Sequence, residues 1–188
     1  MTQRTVVHAV RQARDDEIDA LADLWYQGWQ DAHAALVPAE LARLRTRESF
    51  RQRLRAALPT VRVVGPPGAP LGFCMTKDDE LYQLFIAPDG RGRGLAGLLE
   101  TDAVSMLSGR GTTTAWLACA IGNERAARFY EKAAWRRVGT VVSELDTQEG
   151  NFPLEVWRYE KSLEPRSARG ISRQGAVSTC ADAVARHN

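Results

Sequence analysis

Leu81-Tyr-Gln-Leu-Phe-Ile-Ala-Pro-Asp-Gly-Arg-Gly-Arg-Gly-Leu-Ala-Gly-Leu-Leu-Glu100 passes from an apolar strand, through a turn at Pro88-Asp89-Gly90, into a basic glycine-rich loop that opens a helix. Such a loop aims unpaired backbone N–H groups, the positive end of a helix dipole and the side chains of Arg91 and Arg93 at one small volume. That volume suits a phosphate, and Gly92 and Gly94 let the backbone approach its oxygens closely. The residues facing it are Arg91, Gly92, Arg93, Gly94, Leu95 and Ala96.

Outward from this stretch, the chain reads as hairpins followed by one strand–helix–strand unit. Residues 5–12 form a short first strand. Asp15 or Asp16 caps a helix whose Ile18, Leu21, Ala22, Trp25 and Trp29 share one face. After Pro38 a single second helix is expected over residues 39–57. Strands follow at Val61 to Val64, Leu71 to Thr76 and Glu80 to Ala87, divided by turns at Gly65-Pro-Pro-Gly68 and Lys77-Asp-Asp. The helix behind the glycine loop runs to about Leu107 and breaks at Ser108-Gly-Arg-Gly111. Thr112 to Ala120 is a buried strand, and Asn123 caps a helix carrying Ala126, Ala127, Phe129 and Tyr130. Arg136 to Leu145 and Phe152 to Tyr159 are two last strands. The pattern predicts one α+β domain over residues 1–162 and a poorly ordered tail over 163–188, where no amphipathic period survives.

Composition narrows the class. The hydrophobic fraction of 44% and charged fraction of 26% are those of an ordinary globular chain. No apolar run approaches the roughly 20 residues of a spanning helix, and Met1 to His8 lacks the charged-then-apolar order of an export signal, so a cytoplasmic protein without membrane contact is expected. A net charge of +2 is too small to argue for nucleic acid. Cys74, Cys119 and Cys180 lack metal-ligand spacing, which leaves reduced thiols and no metal as the expectation.

Gly92-Arg-Gly94-Leu-Ala-Gly97 also fits the dinucleotide fingerprint G-x-G-x-x-G. That fingerprint wants an acidic residue about 20 positions on for the ribose, and Thr112 to Ala120 has none. The second pattern is Arg91-Gly-Arg-Gly94-Leu-Ala96, just after Ile86-Ala-Pro88. Further on comes Asn123-Glu-Arg-Ala126-Ala-Arg-Phe129-Tyr130-Glu-Lys132. Together, in this order and with a strand between, these residues resemble the two signatures of the GNAT superfamily of acyl-CoA-dependent N-acetyltransferases. The resemblance spans residues 5–160.

The resemblance implies a mixed, mostly antiparallel sheet of about 6–7 strands flanked by about four helices. It implies an acetyl-CoA-dependent N-acetyltransferase acting by direct attack of a primary amine in a ternary complex. Acetyl-CoA is then the co-substrate. Its pyrophosphate would lie on the glycine loop, and its pantetheine arm along Leu84, Phe85 and Ile86 as an added strand, where one N–H faces the thioester oxygen. Asn123 would cap its helix or bond that arm. Tyr130 matches the family tyrosine that protonates the departing thiolate. Glu80, preceded by Asp78 and Asp79, stands where some members carry the general base, the alternative being a chain of water. Trp25 and Trp29 lie on the first helix, which walls the acceptor side. The acceptor is a small-molecule or peptide amine, the acid run near Glu80 favouring a cationic one such as a polyamine, amino acid or amine antibiotic. Relatives that dimerise through their C-terminal strands leave a homodimer open. A binding module of this fold, holding coenzyme A without turnover, is the reading from another class.

One departure stands out. The family often has glycine where this chain has Ala134, ending the helix in a left-handed conformation. In alanine that conformation costs about 1 kcal/mol, so the helix is expected to end differently here.

Overall fold

Alternation of apolar residues along the strands decides which sheet face meets which helix. In this computed structural model, which describes residues 9–163, seven strands form one sheet. They are β1 (Val10–Gln12), β2 (Val61–Val64), β3 (Gly72–Lys77), β4 (Glu80–Ile86), β5 (Thr114–Ala120), β6 (Arg136–Thr147) and β7 (Gly150–Ser162). Their order is β1-β2-β3-β4-β5-β7-β6, and every neighbouring pair is antiparallel except β4 and β5. The α-helices among the described residues are α1 (Ile18–His33), α2 (Ala39–Leu44), α3 (Arg47–Ala57), α4 (Leu95–Gly109) and α5 (Glu124–Lys132). Among the described residues no helix is long and apolar enough to cross a membrane.

Two cores result. Val61 and Val63 of β2 and Phe73 and Met75 of β3 are buried with Ile18, Leu21, Trp25, Phe50 and Leu54 of α1 and α3. The opposite face buries Val64, Cys74, Leu117 and Cys119 with Leu95, Leu99, Ala103 and Leu107 of α4. The four-residue spacing of the last group makes one helical stripe, as a helix lying on a sheet requires.

The single helix expected over 39–57 is two. Arg45 leaves helical geometry, with ψ +69°, and Thr46 caps α3 by accepting the Ser49 N–H at 3.1 Å. A threonine cap satisfies an otherwise unpaired amide, and that favours a new helix start over an unbroken one. Ala134 is the second correction. It does adopt the left-handed conformation, with φ +63°. The Ala134 N–H reaches the Glu131 carbonyl at 3.1 Å and the Trp135 N–H the Tyr130 carbonyl at 3.0 Å, the two bonds of a Schellman ending. Trp135 is thereby buried, its indole N–H donating to Glu100 at 2.9 Å, and this burial outweighs the alanine's strain. The expectation for residues 163–188 falls outside the described residues apart from Leu163, which is buried and donates its N–H to the Thr113 carbonyl at 2.8 Å.

Candidate active site

The site opens where the sheet splits. Parallel strands β4 and β5 are paired in register only at Glu80 and Trp116, with the Trp116 N–H bonded to the Asp79 carbonyl at 3.2 Å. Beyond that point β4 stays paired with β3 through Leu84, Phe85 and Ile86, so its other edge is left without a strand partner. A bulge sharpens the split: Met75 faces Gln83 while Thr76 faces Leu81, leaving Tyr82 as the extra residue. Side-chain alternation breaks there. Leu81, Leu84 and Ile86 join the α4 core, whereas Tyr82 and Phe85 pack toward α1 and α3. A cavity of about 820 Å³ fills the opening, running from the glycine loop past Leu84, Phe85 and Ile86 to Glu80 and on beneath α1 to α3.

At one end, Gly92 (φ +72°) and Gly94 (φ +76°) occupy the left-handed region, and a β-carbon on either would meet nothing within 4 Å. Their conformation demands glycine, and the space beside them is open. Gly94 starts α4, so the first amides of that helix point out of its end. Leu95 is buried beneath the loop, while Gly92, Gly94, Leu95 and Ala96 all contribute to the cavity wall. Arg91 lines it too, and its guanidinium meets the Asp31 carboxylate of α1 at 2.7 Å. Arg125 of α5 shares that carboxylate at 3.1 Å. Asp31 therefore ties α1 to both the loop and α5, and the two cations hold its pKa below the usual carboxylate range. Arg93 points elsewhere; its guanidinium bonds the Asp89 carbonyl at 3.4 Å.

Glu80 lies in the middle of the cavity, 9% exposed. Burial first, then repulsion from Asp79 and Asp78, pushes its carboxyl up to about 7 against the pull of Lys77 and Arg158. Asp79 is itself occupied, accepting the Trp116 indole N–H at 2.8 Å. Across the split, Asn123 caps α5 by accepting the Ala126 N–H at 3.2 Å, which leaves its NH₂ group for the cavity it lines. Tyr130 also lines the cavity and sits among Phe129, Trp135 and Tyr159, with ring centroids 5.3, 6.4 and 6.1 Å away. This apolar setting drives its phenol above the ordinary value, so it stays protonated at neutral pH.

The two tryptophans of α1 part company. Trp29 lines the cavity. Trp25 does not: it is fully buried, 4.6 Å from Phe50 and 5.5 Å from Phe73 by ring centroids, and belongs to the core under the cavity floor. They stand four positions apart, about 6 Å along the helix axis, enough to carry one past the rim.

Other wall residues were not among the site residues expected from the sequence, where a lone His33 reads as surface or core. His33, stacked on Trp29 at 5.6 Å, lines the cavity and is held neutral by burial, which lowers it to about 4. Arg45 and Arg53 look like surface charges of a basic helix when read in line, yet both face the cavity. Ser143, Glu144 and Asp146 arrive from β6, because the far end of the β6–β7 hairpin leans on α2 and α3 through Arg43–Glu149 and Gln148–Gln52 contacts. Only the break at Thr46-Arg-Glu-Ser49 could have hinted that Arg45 turns inward.

An α+β sheet split between two parallel strands, with a phosphate-type loop at one end of the split and a buried carboxyl at the other, defines a class. The model of the acetyltransferase (GNAT) family matches residues 18–135, and the chain belongs to that family. It is 28% identical over 152 residues to the peptidyl-lysine N-acetyltransferase YjaB of Escherichia coli (strain K12), covering 79% of this chain and 95% of that protein. Its fold matches that of a GCN5-related N-acetyltransferase from Rhodopseudomonas palustris, with a TM-score of 0.66, 18% identity and coverage of 87% and 100%. The PaiA N-acetyltransferase of Thermoplasma acidophilum, solved in complex with coenzyme A, aligns with a TM-score of 0.62, 16% identity and coverage of 84% and 99%.

Proposed function

We propose that this protein transfers the acetyl group of acetyl-CoA to a primary amine by direct attack within a ternary complex. The observation that carries this reading is the continuous cavity joining the phosphate-type loop, the open edge of β4 and the buried carboxyl of Glu80. Family membership and the coenzyme A complex of a related fold support acetyl-CoA as the donor. The amides of residues 92–96 and the Arg91 guanidinium would receive its phosphates. The pantetheine amide groups would pair with the free edge of β4 at Leu84 to Ile86.

The chemistry follows from charge. An ammonium group has no lone pair, so Glu80 takes a proton from it; a carboxyl titrating at about 7 is matched to that task at neutral pH. The free amine attacks the thioester carbonyl, the carbonyl π electrons move onto oxygen, and a β4-edge N–H stabilises that oxygen. Collapse of the adduct breaks the C–S bond. Tyr130 gives its proton to the leaving sulfur; the second proton shed by the new amide nitrogen restores the Tyr130 phenol through solvent, and the first leaves Glu80 for bulk water. Cys119 lines the cavity, but burial pushes its thiol up to about 12, so a thiolate nucleophile and an acyl-enzyme are not favoured. The YjaB relatives are peptidyl-lysine N-acetyltransferases, which is consistent with an amine on an alkyl chain as acceptor.

Tyr130→Phe tests the assignment. The variant should lose about 100-fold in kcat while binding acetyl-CoA as tightly as the parent in calorimetry. Unchanged turnover would remove Tyr130 from the mechanism.

A further inference from the structure

The wall of the cavity beyond Glu80 carries a charge arrangement that acetyl transfer itself does not use. Arg45 is 4% exposed and lines the cavity. One guanidinium nitrogen donates to the Asp146 backbone carbonyl at 2.8 Å. No carboxylate among the described residues lies within 4.0 Å of it. The Asp146 carboxylate is mostly exposed and sits 3.8 Å from Lys77 instead. Burial lowers Arg45 to about 10, still a cation at neutral pH. Arg53 stands beside it on α3. Its guanidinium lies 4.6 Å above the Trp25 ring, donates to the Tyr82 hydroxyl, and likewise has no carboxylate partner among the described residues. The two guanidinium groups are close enough for Arg53 to depress Arg45.

Two like charges facing one cavity with no carboxylate in direct contact, Asp146 acting on Arg45 only from beyond ion-pair distance, are costly for a protein to maintain. An anion entering the cavity relieves that cost, and the planar fork of arginine matches a carboxylate. The acidic residues Asp78, Asp79, Glu80, Glu144 and Asp146 lie on the same cavity, with Glu80 and Tyr82 two residues apart on β4. Arg53 reaches this strand through its bond to the Tyr82 hydroxyl, so acidic and basic groups line one and the same cavity.

Taking acetyl transfer to an amine as the activity, we propose that the acceptor is an amine bearing its own carboxylate, which Arg45 and Arg53 hold while the amine faces Glu80. The chemistry is that of an amino acid, either free or as an acidic residue beside an acceptor lysine in a peptide. A plain polyamine offers only one of the two charges.

The test compares matched acceptors on the full chain with saturating acetyl-CoA. Free lysine is set against lysinamide and cadaverine, and a lysine peptide with a neighbouring Asp against the same peptide with Asn. The acid of a pair should show kcat/KM at least about tenfold above its neutral partner, the worth of one charge-assisted hydrogen bond. Whichever pair shows the preference identifies the source. Arg45→Gln and Arg53→Gln should bring the acid-to-neutral ratio toward one; a merely structural role would lower both members alike and leave the ratio intact. Equal rates within both pairs, or a ratio unmoved in the folded Arg53→Gln variant, would overturn the proposal. If no amine is acetylated at all, the acetyltransferase reading fails, and calorimetry with free lysine and lysinamide decides this one separately: tighter binding of the acid, lost in Arg53→Gln, supports it, and indifference to the carboxylate overturns it.

Discussion

Glu80 shows how far one residue can be understood from its setting. The sequence sets it at the start of the signature strand beside two aspartates, where mutual repulsion and partial burial together give reason to expect a raised pKa. The structure ranks the two, with burial acting ahead of repulsion, and sets Glu80 at the position where β4 pairs with β5. A base titrating at about 7 must be ionised to work, so kcat/KM should climb with pH through about 7 and level above it. Glu80→Gln should abolish that limb and cost at least about 100-fold in rate; a pH–rate series on both proteins checks it, and an unchanged limb in the variant would assign the base to water or another group. Ala134 is the counterpart for stability. Its left-handed backbone was legible as a penalty but not as one the chain accepts, since the compensating burial of Trp135 against Glu100 depends on residues far apart in sequence. Ala134→Gly should stabilise the fold by about 1 kcal/mol, raising Tm by about 3 °C. A fall in Tm would mean that the alanine is not strained.

At the scale of elements, the glycine loop and the strand before it were readable because glycine, proline and arginine punctuate the chain locally. Strand β4, the loop and α4 stand where the sequence put them, within a residue or two. The bulge at Tyr82 was not readable, since it arises from the register of β3 against β4 and leaves no local mark. Trp25 and Trp29 share a helical face, yet the cavity rim passes between them, and periodicity alone does not locate a rim. The loop also meets a partner that no motif implies: Asp31 holds Arg91 and Arg125 together across the mouth of the split. On the proposed function, an incoming phosphate would share or displace that carboxylate. Arg91→Glu puts a second anion there and should weaken acetyl-CoA binding at least about tenfold in calorimetry. Unaltered affinity would remove Arg91 from the phosphate site.

For the whole molecule, the split sheet is the device that would unite the two substrates of the proposed reaction. Neighbouring pairs elsewhere in the sheet are antiparallel, whereas β4 and β5 run parallel and are paired in register at one position, so the opening is a property of topology and not of any one side chain. The donor side was written in consecutive residues and could be read. The acceptor side is assembled from α1, α2, α3 and the end of the β6–β7 hairpin, pieces more than a hundred residues apart, as the Arg45–Asp146 and Arg43–Glu149 contacts show. Trp29 on α1 was named from the sequence, but nothing in line order brings the other pieces together, and they emerged only from the fold. The central claim is that the cavity passes an acetyl group directly from thioester to amine. Mass spectrometry of protein and acceptor, after incubation with acetyl-CoA and a panel of amines while free thiol is followed, tests it most directly. The account predicts thiol released in step with acetylated amine and a protein mass that never changes. Acetyl retained on the protein, or thioester consumed with no amine acetylated, would contradict it.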